Sequence, residues 1–328
     1  MVAAYTLNEL KTLLAGYQAP PYRAEQLIKA LYKGAAGYEQ TSLPKALIAH
    51  LQPNLPFIST KVLKCLNAEG SAKLALKLND EQVVESVLLR HEGRNTACLS
   101  SQAGCAMGCT FCKTATLGFK RNLESYEIIE QFLHLQQLAP INNIVFMGMG
   151  EPLLNLDNVL KTITALSNPQ TLGLSKRRFT LSTVGLIKPI YQLAESGYQL
   201  NLAFSLISAQ QAKRELLIPQ AKANPLPQLK EALMYYQQQT KGRLTFEVVL
   251  IPGHNDSADD AKAIAAFAAG FKCLINVIAW NKVEGLPYRS PDSRQLANFI
   301  NRLSGYGLTV KQRRRMGRGV NGACGQLG

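Results

Sequence analysis

The chain has 328 residues, 47% of them hydrophobic and 18% charged, which predicts a globular protein of one sizeable domain with a small appendage. Its 36 Lys and Arg against 22 Asp and Glu give a net charge of +14, which favours a polyanionic partner such as nucleic acid, unless the chain is simply basic. No apolar run reaches the ~18 residues of a membrane span, and residues 1–9 lack the pattern of a signal peptide, so we expect a cytoplasmic protein with reduced cysteines and no membrane segment.

Residues 1–55 have the pattern of short amphipathic helices. Leucines recur at helical spacing in 7–14, and apolar residues do so again in 27–32. Prolines at 20–21 and 44 separate these stretches. Lys and Arg side chains between residues 11 and 45 would form a basic exterior, which is either a solvated surface or a contact surface for an anionic partner.

Between residues 60 and 101 the pattern changes to that of strands. Residues 73–78 alternate between lysine or small residues and leucine, and 83–89 form a short apolar run. Turn-forming residues separate the two stretches. We expect a β extension that leads into a larger domain.

The most informative stretch is 104–112, where Cys105, Cys109 and Cys112 have the spacing C-x3-C-x2-C. With only 7 cysteines in the chain, chance is a poor explanation of this spacing. A zinc site would need a fourth ligand, usually from a second cysteine pair, and a disulfide framework would need an oxidising compartment. Three thiolates this close can instead bind three irons of a [4Fe-4S] cluster and leave the fourth iron open to another ligand.

From residue 126 onward, helical and strand patterns alternate. The predicted helices cover 126–137, 156–167, 188–196, 226–239 and 258–269, and the predicted strands cover 143–147, 178–182, 199–205, 244–250 and 273–279. Repeated βα units imply a parallel sheet whose functional residues lie at the carboxyl ends of the strands. The fold class is therefore α/β.

The cysteine spacing is the signature of the radical-SAM superfamily, and its flanks resemble the RlmN/Cfr family. The flanking segments are CLSSQ at 98–102, GFKRNL at 118–123 and CGQL at 324–327. Members of this family methylate an adenine ring carbon in ribosomal RNA, and RlmN also acts on transfer RNA. The resemblance implies a partial (β/α)6 catalytic barrel at 96–328, a helical RNA-binding accessory domain at 1–55, and a β extension or linker at 56–95.

The resemblance also implies the cofactors and their site. They are a [4Fe-4S] cluster on the three cysteines and S-adenosylmethionine (SAM), two molecules per turnover. GMGEP at 148–152 follows an apolar strand and resembles the motif that contacts the methionine ammonium of SAM, which implicates Gly150 and Glu151. Other predicted pocket residues lie at later strand ends: Ser182, Ser205, Leu206, Ile207 and Asn281. Taken alone, serines and asparagines at strand ends are ordinary turn residues.

Two of the remaining cysteines match the family's two non-cluster cysteines. Cys324 lies between glycines after a basic run at 311–318, which should favour its thiolate, and Cys98 ends the strand that leads to the cluster. Cys65 and Cys273 lie in apolar strand contexts, where a buried, inert thiol is expected.

The resemblance implies a role for each of the first two thiols. Cys324 would accept a methyl group, a radical generated from a second SAM would remove hydrogen from it, and the resulting carbon radical would add to the adenine ring. Glu85 would then remove the ring proton, and Cys98 would release the adduct by forming a disulfide with Cys324. Glu85 can equally be an outward-facing strand residue.

Two segments depart from the family pattern. Ile207 occupies a position where relatives commonly carry His, and RGVN at 318–321 replaces acidic residues before the terminal cysteine. We expect the cofactor chemistry to survive these changes, whereas the added positive charge can alter which RNA or adenine is presented.

The sequence therefore predicts a radical-SAM methyltransferase acting on C2 of adenosine in 23S rRNA, with tRNA as a second substrate candidate. The alternatives are methylation at C8, a diverged RNA substrate, or a non-catalytic iron–sulfur RNA-binding protein, which would need neither Cys324 nor Glu151. Basic runs at 175–178 and 311–318 suit phosphate contacts near the reactive centre. We also expect a monomer and an electron donor such as flavodoxin.

Overall fold

The structure, a computed structural model, describes residues 1–313 and 316–328 and confirms the predicted α/β class. Its α-helices are α1 Leu7–Ala15, α2 Tyr22–Tyr32, α3 Lys45–Leu51, α4 Lys113–Thr116, α5 Ser125–Gln136, α6 Leu156–Ser167, α7 Ile187–Glu195, α8 Gln211–Leu217, α9 Leu226–Thr240, α10 Ala258–Ala268 and α11 Ser293–Gly305. Its strands are β1 Lys61–Ala68, β2 Ser71–Lys77, β3 Val83–His91, β4 Arg94–Cys98, β5 Gln102–Gly104, β6 Phe119–Asn122, β7 Asn143–Phe146, β8 Phe179–Thr183, β9 Asn201–Ser205, β10 Leu244–Leu250, β11 Cys273–Ala279 and β12 Val310–Gln312.

The main sheet has ten strands in the order β1-β2-β3-β4-β7-β8-β9-β10-β11-β12. Neighbours from β1 to β4 are antiparallel, and neighbours from β4 to β12 are parallel. Because β1 and β12 are edges in the described structure, the sheet is open, and its parallel part is the predicted partial barrel. The carboxyl ends of its parallel strands therefore share one rim.

The β extension is continuous with the barrel, because β3 pairs with β4 and β4 pairs with β7 in the same sheet. The β3–β4 register places Val87 opposite Cys98, which puts Glu85 two residues away on the neighbouring strand. A C-terminal 3-10 turn, Arg318–Val320, packs against β1 and β2. The extension thus contacts the segment that precedes Cys324.

The N-terminal region packs against α5 through a 3-10 turn, Val2–Ala4, which also contacts α2. Helix α1 begins at a capping box in which Thr6 and Glu9 bond each other's backbone N–H groups. On α5, the buried Glu130 carboxylate accepts bonds from the backbone N–H groups of Ser59 and Thr60 at 2.8–3.0 Å. One continuous hydrophobic core includes side chains from both regions. The division into domains at residues 55 and 95 stays a prediction.

None of the helices in the described part of the chain combines the length and the apolar character needed to cross a bilayer.

Candidate active site

The cysteine loop lies between β5 and α4, at the base of a small hairpin formed by β5 and β6. Gly104 ends β5 with a φ of 75°, and a Cβ on it would lie 1.8 Å from the carbonyl oxygen of Gly118. Only glycine allows this approach. The N–H of Cys105 donates to the same oxygen at 3.1 Å, and this bond fixes the direction in which the loop continues from β5.

Cys105, Cys109 and Cys112 line one cavity at the rim, and all three are free thiols. Burial raises the pKa of the Cys105 thiol to about 12 and raises the pKa values of Cys109 and Cys112. Other cysteines of the group add to the shifts of Cys105 and Cys109, and Cys324 adds to the shift of Cys112. Without a metal these groups are neutral thiols, whereas iron binds the thiolate.

The three cysteines fit a [4Fe-4S] cluster because they line the same cavity. In such a cluster each cysteine binds a different iron, and the fourth iron stays open to another ligand.

The glycine-rich turn after β7 packs tightly against the chain itself. A Cβ on Gly148 would lie 2.6 Å from Ser100 Oγ, and one on Gly150 would lie 2.5 Å from the Cβ of Gln102. These glycines therefore allow the turn to pack on the segment between β4 and β5. The sequence suggested that these glycines let the cofactor approach the backbone. The structure shows a second reason for them, which is the packing of the turn.

Glu151 is 2% exposed and lies in the same cavity. Its carboxylate accepts bonds from the N–H groups of Leu153 at 3.0 Å and Val184 at 2.9 Å. Burial nevertheless raises the pKa of Glu151 to about 7. A buried carboxylate without a cationic partner is well suited to bind an ammonium group.

Most of the other predicted pocket residues line this cavity: Ser182, Ser205, Ile207 and Asn281. Leu206 does not, because its side chain is fully buried in the core. One buried oxygen of a lining residue, Asn281 Oδ1, has no hydrogen-bond partner in the described structure. The cavity therefore offers a free acceptor to a polar ligand with donor groups, as SAM has.

Ile207 has a φ of 59°, which is a strained conformation for a buried β-branched residue. The N–H of Ser208 bonds the carbonyl of Leu206 at 2.6 Å, so Ile207 is the centre of a three-residue turn. Asn255 Nδ2 donates to the Ile207 carbonyl at 2.8 Å and holds the turn in place.

Cys324 lines the cavity together with the cluster cysteines. Asn281 Nδ2 donates to its carbonyl at 3.1 Å, and the N–H of Lys113 donates to the carbonyl of Gly325 at 2.8 Å. The hydroxyl of Thr114 donates to the carbonyl of Leu327 at 2.7 Å. The C-terminal segment is thus bound directly to α4, which follows the last cluster cysteine.

Cys98 and Cys324 both line a second, adjoining cavity, together with Arg313. Burial raises the pKa of the Cys98 thiol to about 12, and the nearby Arg313 charge opposes this shift. Arg313 also lies 3.5 Å from Glu247. Within the predicted basic run at 311–318, Arg313 therefore lies at the site. Arg314 and Arg315 lie outside the described residues.

Glu85 lines neither cavity. Its carboxylate forms an ion pair with Lys73 at 2.7 Å and accepts a bond from the N–H of Gly328 at 2.9 Å. Glu85 thus contacts the segment that carries Cys324.

Two expectations from the sequence are wrong. Arg177 and its neighbours form an exposed 3-10 turn at the amino end of β8, opposite the rim that holds the cavity. This basic run is therefore not near the reactive centre. Cys65 is exposed, because it lies on the edge strand β1, whose first five residues are exposed.

The chain is similar in sequence and in fold to known proteins of one superfamily. The family model described as Radical SAM superfamily matches residues 99–267. A protein of Dictyoglomus turgidum named "Probable dual-specificity RNA methyltransferase RlmN" is 37% identical over 333 residues, covering 99% of this chain and 96% of its own. A protein of that name from Treponema denticola is 43% identical over 337 residues, covering 98% and 97%. The crystal structure of a radical SAM methyltransferase from Sphaerobacter thermophilus has a TM-score of 0.95 and 34% identity, covering 99% of this chain and 98% of that one.

The open barrel and its cysteine-lined cavity define a radical SAM enzyme, with a [4Fe-4S] cluster and SAM as cofactors. Within that superfamily, the chain belongs to the RlmN family of methyltransferases.

Proposed function

We propose that this enzyme methylates carbon 2 of adenosine in 23S ribosomal RNA and in transfer RNA. The observation that carries the proposal is the convergence of Cys324 with the three cluster cysteines and Glu151 in one cavity. A non-catalytic iron–sulfur protein would not need a thiol there. Relatives that align over nearly the whole chain are named as dual-specificity RNA methyltransferases, which supports RNA as the substrate.

The residues that line the cavity have separate roles in this reaction. When bound, the cluster and SAM supply the methyl group and the one-electron chemistry, with two SAM molecules used per turnover. Cys105, Cys109 and Cys112 hold the cluster, and the Glu151 carboxylate binds the SAM ammonium. Cys324 Sγ accepts the methyl group and becomes a thioether, which then links the protein to the ring carbon through a CH2 group.

Cys98 and Glu85 complete the reaction. Glu85 takes the proton from the ring carbon that carries the CH2 bridge, and the adduct radical gives up one electron to the one-electron centre that the cofactors supply, so that the ring becomes aromatic again. Glu85 must first give up a contact with Lys73 or Gly328. Cys98 thiolate attacks Cys324 Sγ, the bond from sulfur to the CH2 group breaks with its electron pair on carbon, and a proton completes the methyl group. Arg313 favours the Cys98 thiolate that this step needs. The resulting disulfide must be reduced by an external dithiol before the next turnover.

The partners follow from the chemistry and the charge. A net charge of +14 supports binding to RNA phosphates, and the target adenine must lie in an unstacked region to reach Cys324. We further propose that the helical region 1–55 grips the RNA, that the enzyme acts as a monomer, and that a low-potential one-electron donor such as flavodoxin reduces it.

Nucleoside mass spectrometry tests the proposal. Ribosomal and transfer RNA from cells lacking the protein should lose 2-methyladenosine, and the unaltered gene should restore it while a Cys324→Ala gene should not. Loss of 8-methyladenosine alone would move the enzyme to the other ring carbon. If neither nucleoside changes, the RNA substrate is a different one.

A further inference from the structure

Arg214 is a buried cation without a carboxylate partner. It lies on α8, is 0% exposed, and no described carboxylate is in ion-pair or hydrogen-bonding contact with it. Its guanidinium donates instead to backbone carbonyls of Val184, Ser205 and Leu206, and it stacks over the ring of Phe204 at 5.0 Å. Its Nε has no hydrogen-bond partner in the described structure.

Such a charge is expensive to bury. An unpaired ion in a protein interior carries a desolvation penalty of several kcal/mol, roughly, which neutral carbonyls offset only in part. The neighbouring Lys213 shows the ordinary arrangement, because its ammonium lies 2.8 Å from the buried carboxylate of Asp260. Arg214 therefore requires a different anion.

The cluster proposed for the neighbouring cysteine loop would supply that anion. Helix α8 is bonded to this loop, because the N–H of Thr110 donates to the carbonyl of Leu217 at 3.0 Å. Val184 and Ser205, whose carbonyls accept bonds from Arg214, line the same cavity as Cys109. A cluster bound by three thiolates carries net negative charge, and one-electron reduction adds another negative charge. Arg214 also bonds the carbonyl of Val184, whose N–H bonds Glu151. Arg214 thus lies between the cysteine loop and the backbone segment that binds the Glu151 carboxylate.

We propose that Arg214 is the buried countercharge of the cluster and raises its reduction potential. The proposal rests on the cluster site of the proposed function. A fixed positive charge in a low-dielectric surrounding stabilises the reduced cluster more than the oxidised one. Arg214 therefore eases the entry of the electron from the low-potential donor, and its bonds to the three carbonyls keep the guanidinium in place.

Redox titration of the anaerobically reconstituted protein tests this role, with dithionite as reductant and the electron paramagnetic resonance signal of the reduced cluster as readout. Arg214→Met should lower the ratio of reduced to oxidised cluster at least tenfold at a fixed potential. This change corresponds to a midpoint potential that is lower by about 59 mV for one electron. Arg214→Lys should stay within about threefold of the unaltered protein, because it keeps the charge. Lys213→Met removes a neighbouring cation that already has a partner, and should leave the ratio unchanged.

The outcomes separate this role from a purely structural one. An iron-loaded Arg214→Met protein with an unchanged midpoint overturns the proposal. So does an Arg214→Lys protein with a tenfold shift, because the hydrogen bonds rather than the charge would then matter. If Arg214→Met binds no iron, Arg214→Gln, which also removes the charge but keeps a donor for the carbonyls, takes its place in the titration. Absence of iron from the unaltered protein would overturn the cluster site itself and this proposal with it.

Discussion

The two sides of the cavity are built in different ways. The cluster side, Cys105 to Cys112, consists of consecutive residues whose course is set by backbone contacts at Gly104 and by the packed turn at Gly148 and Gly150. The thiol side, Cys98 and Cys324, joins a central strand to the far end of the chain through bonds such as that from Asn281 to the Cys324 carbonyl. The cluster side is thus a local structure, whereas the thiol side is a docked segment. A mutation on the thiol side should therefore abolish its function while the cluster side stays intact.

The largest effect is expected on the cluster side. Cys109→Ala removes one of the three proposed iron ligands, so anaerobically reconstituted protein should lose most of the about four irons of a [4Fe-4S] cluster and all methylation. Cys65→Ala, on the exposed edge strand, is the matched control and should bind iron normally. Iron analysis and absorbance near ~400 nm measure both. Stoichiometric zinc in place of iron would contradict the cluster.

The thiol side should fail while the cluster stays intact. Cys324→Ala should bind iron fully yet transfer no methyl group to RNA. Cys98→Ala should accumulate protein covalently linked to RNA, because the adduct forms and no thiol resolves it. Gel shifts under denaturing conditions and iron analysis separate the two results, and Cys273→Ala serves as the control. Normal methylation by both variants would exclude the thiol mechanism.

Glu151 should make SAM binding depend on pH. Because burial raises the pKa of this carboxyl to about 7, it is protonated below that pH and ionised above it. Affinity for the SAM ammonium should therefore fall about tenfold per pH unit as the pH drops below 7. Equilibrium dialysis of cluster-loaded protein between about pH 5.5 and 8.5 measures this. Glu151→Gln should bind more weakly and lose this dependence; a pH profile equal to that of the parent would rule out the role.

A smaller effect should come from loosening the docked segment. Thr114→Val removes the bond to the Leu327 carbonyl, which is worth ~1 kcal/mol, so methylation should fall about fivefold with the iron content unchanged. Thr116→Val is a matched control on the same helix, because the exposed Thr116 hydroxyl only bonds the carbonyl of Lys113. Equal rates for the two variants would show that this bond does not hold the segment in its active position.

Local sequence patterns predict the helices and strands of this chain, whereas they do not predict the order of the strands in the sheet. Every helix and strand predicted from residue 126 to 279 is present with small shifts at the ends, but α8, which carries Arg214, was not predicted. Short helices with few periodic residues give a weak signal. Cys65 was placed in the core because its neighbours are apolar, and the position of β1 at the sheet edge makes it exposed. Whether a strand lies at the edge or in the centre of a sheet depends on the order of the strands.

The candidate site divides along the same line. Cysteine spacing, together with the resemblance of the glycine-rich turn to a radical-SAM motif, predicts the cluster loop and Glu151. Residues this close in sequence stay close in space whatever the order of the strands. That Arg313 lies beside Cys98 and Cys324, that Leu206 points into the core, and that the run at 175–178 lies at the opposite end of the barrel depended on the folded sheet. Contacts between residues far apart in sequence are set by the register and order of strands, and no local pattern encodes these.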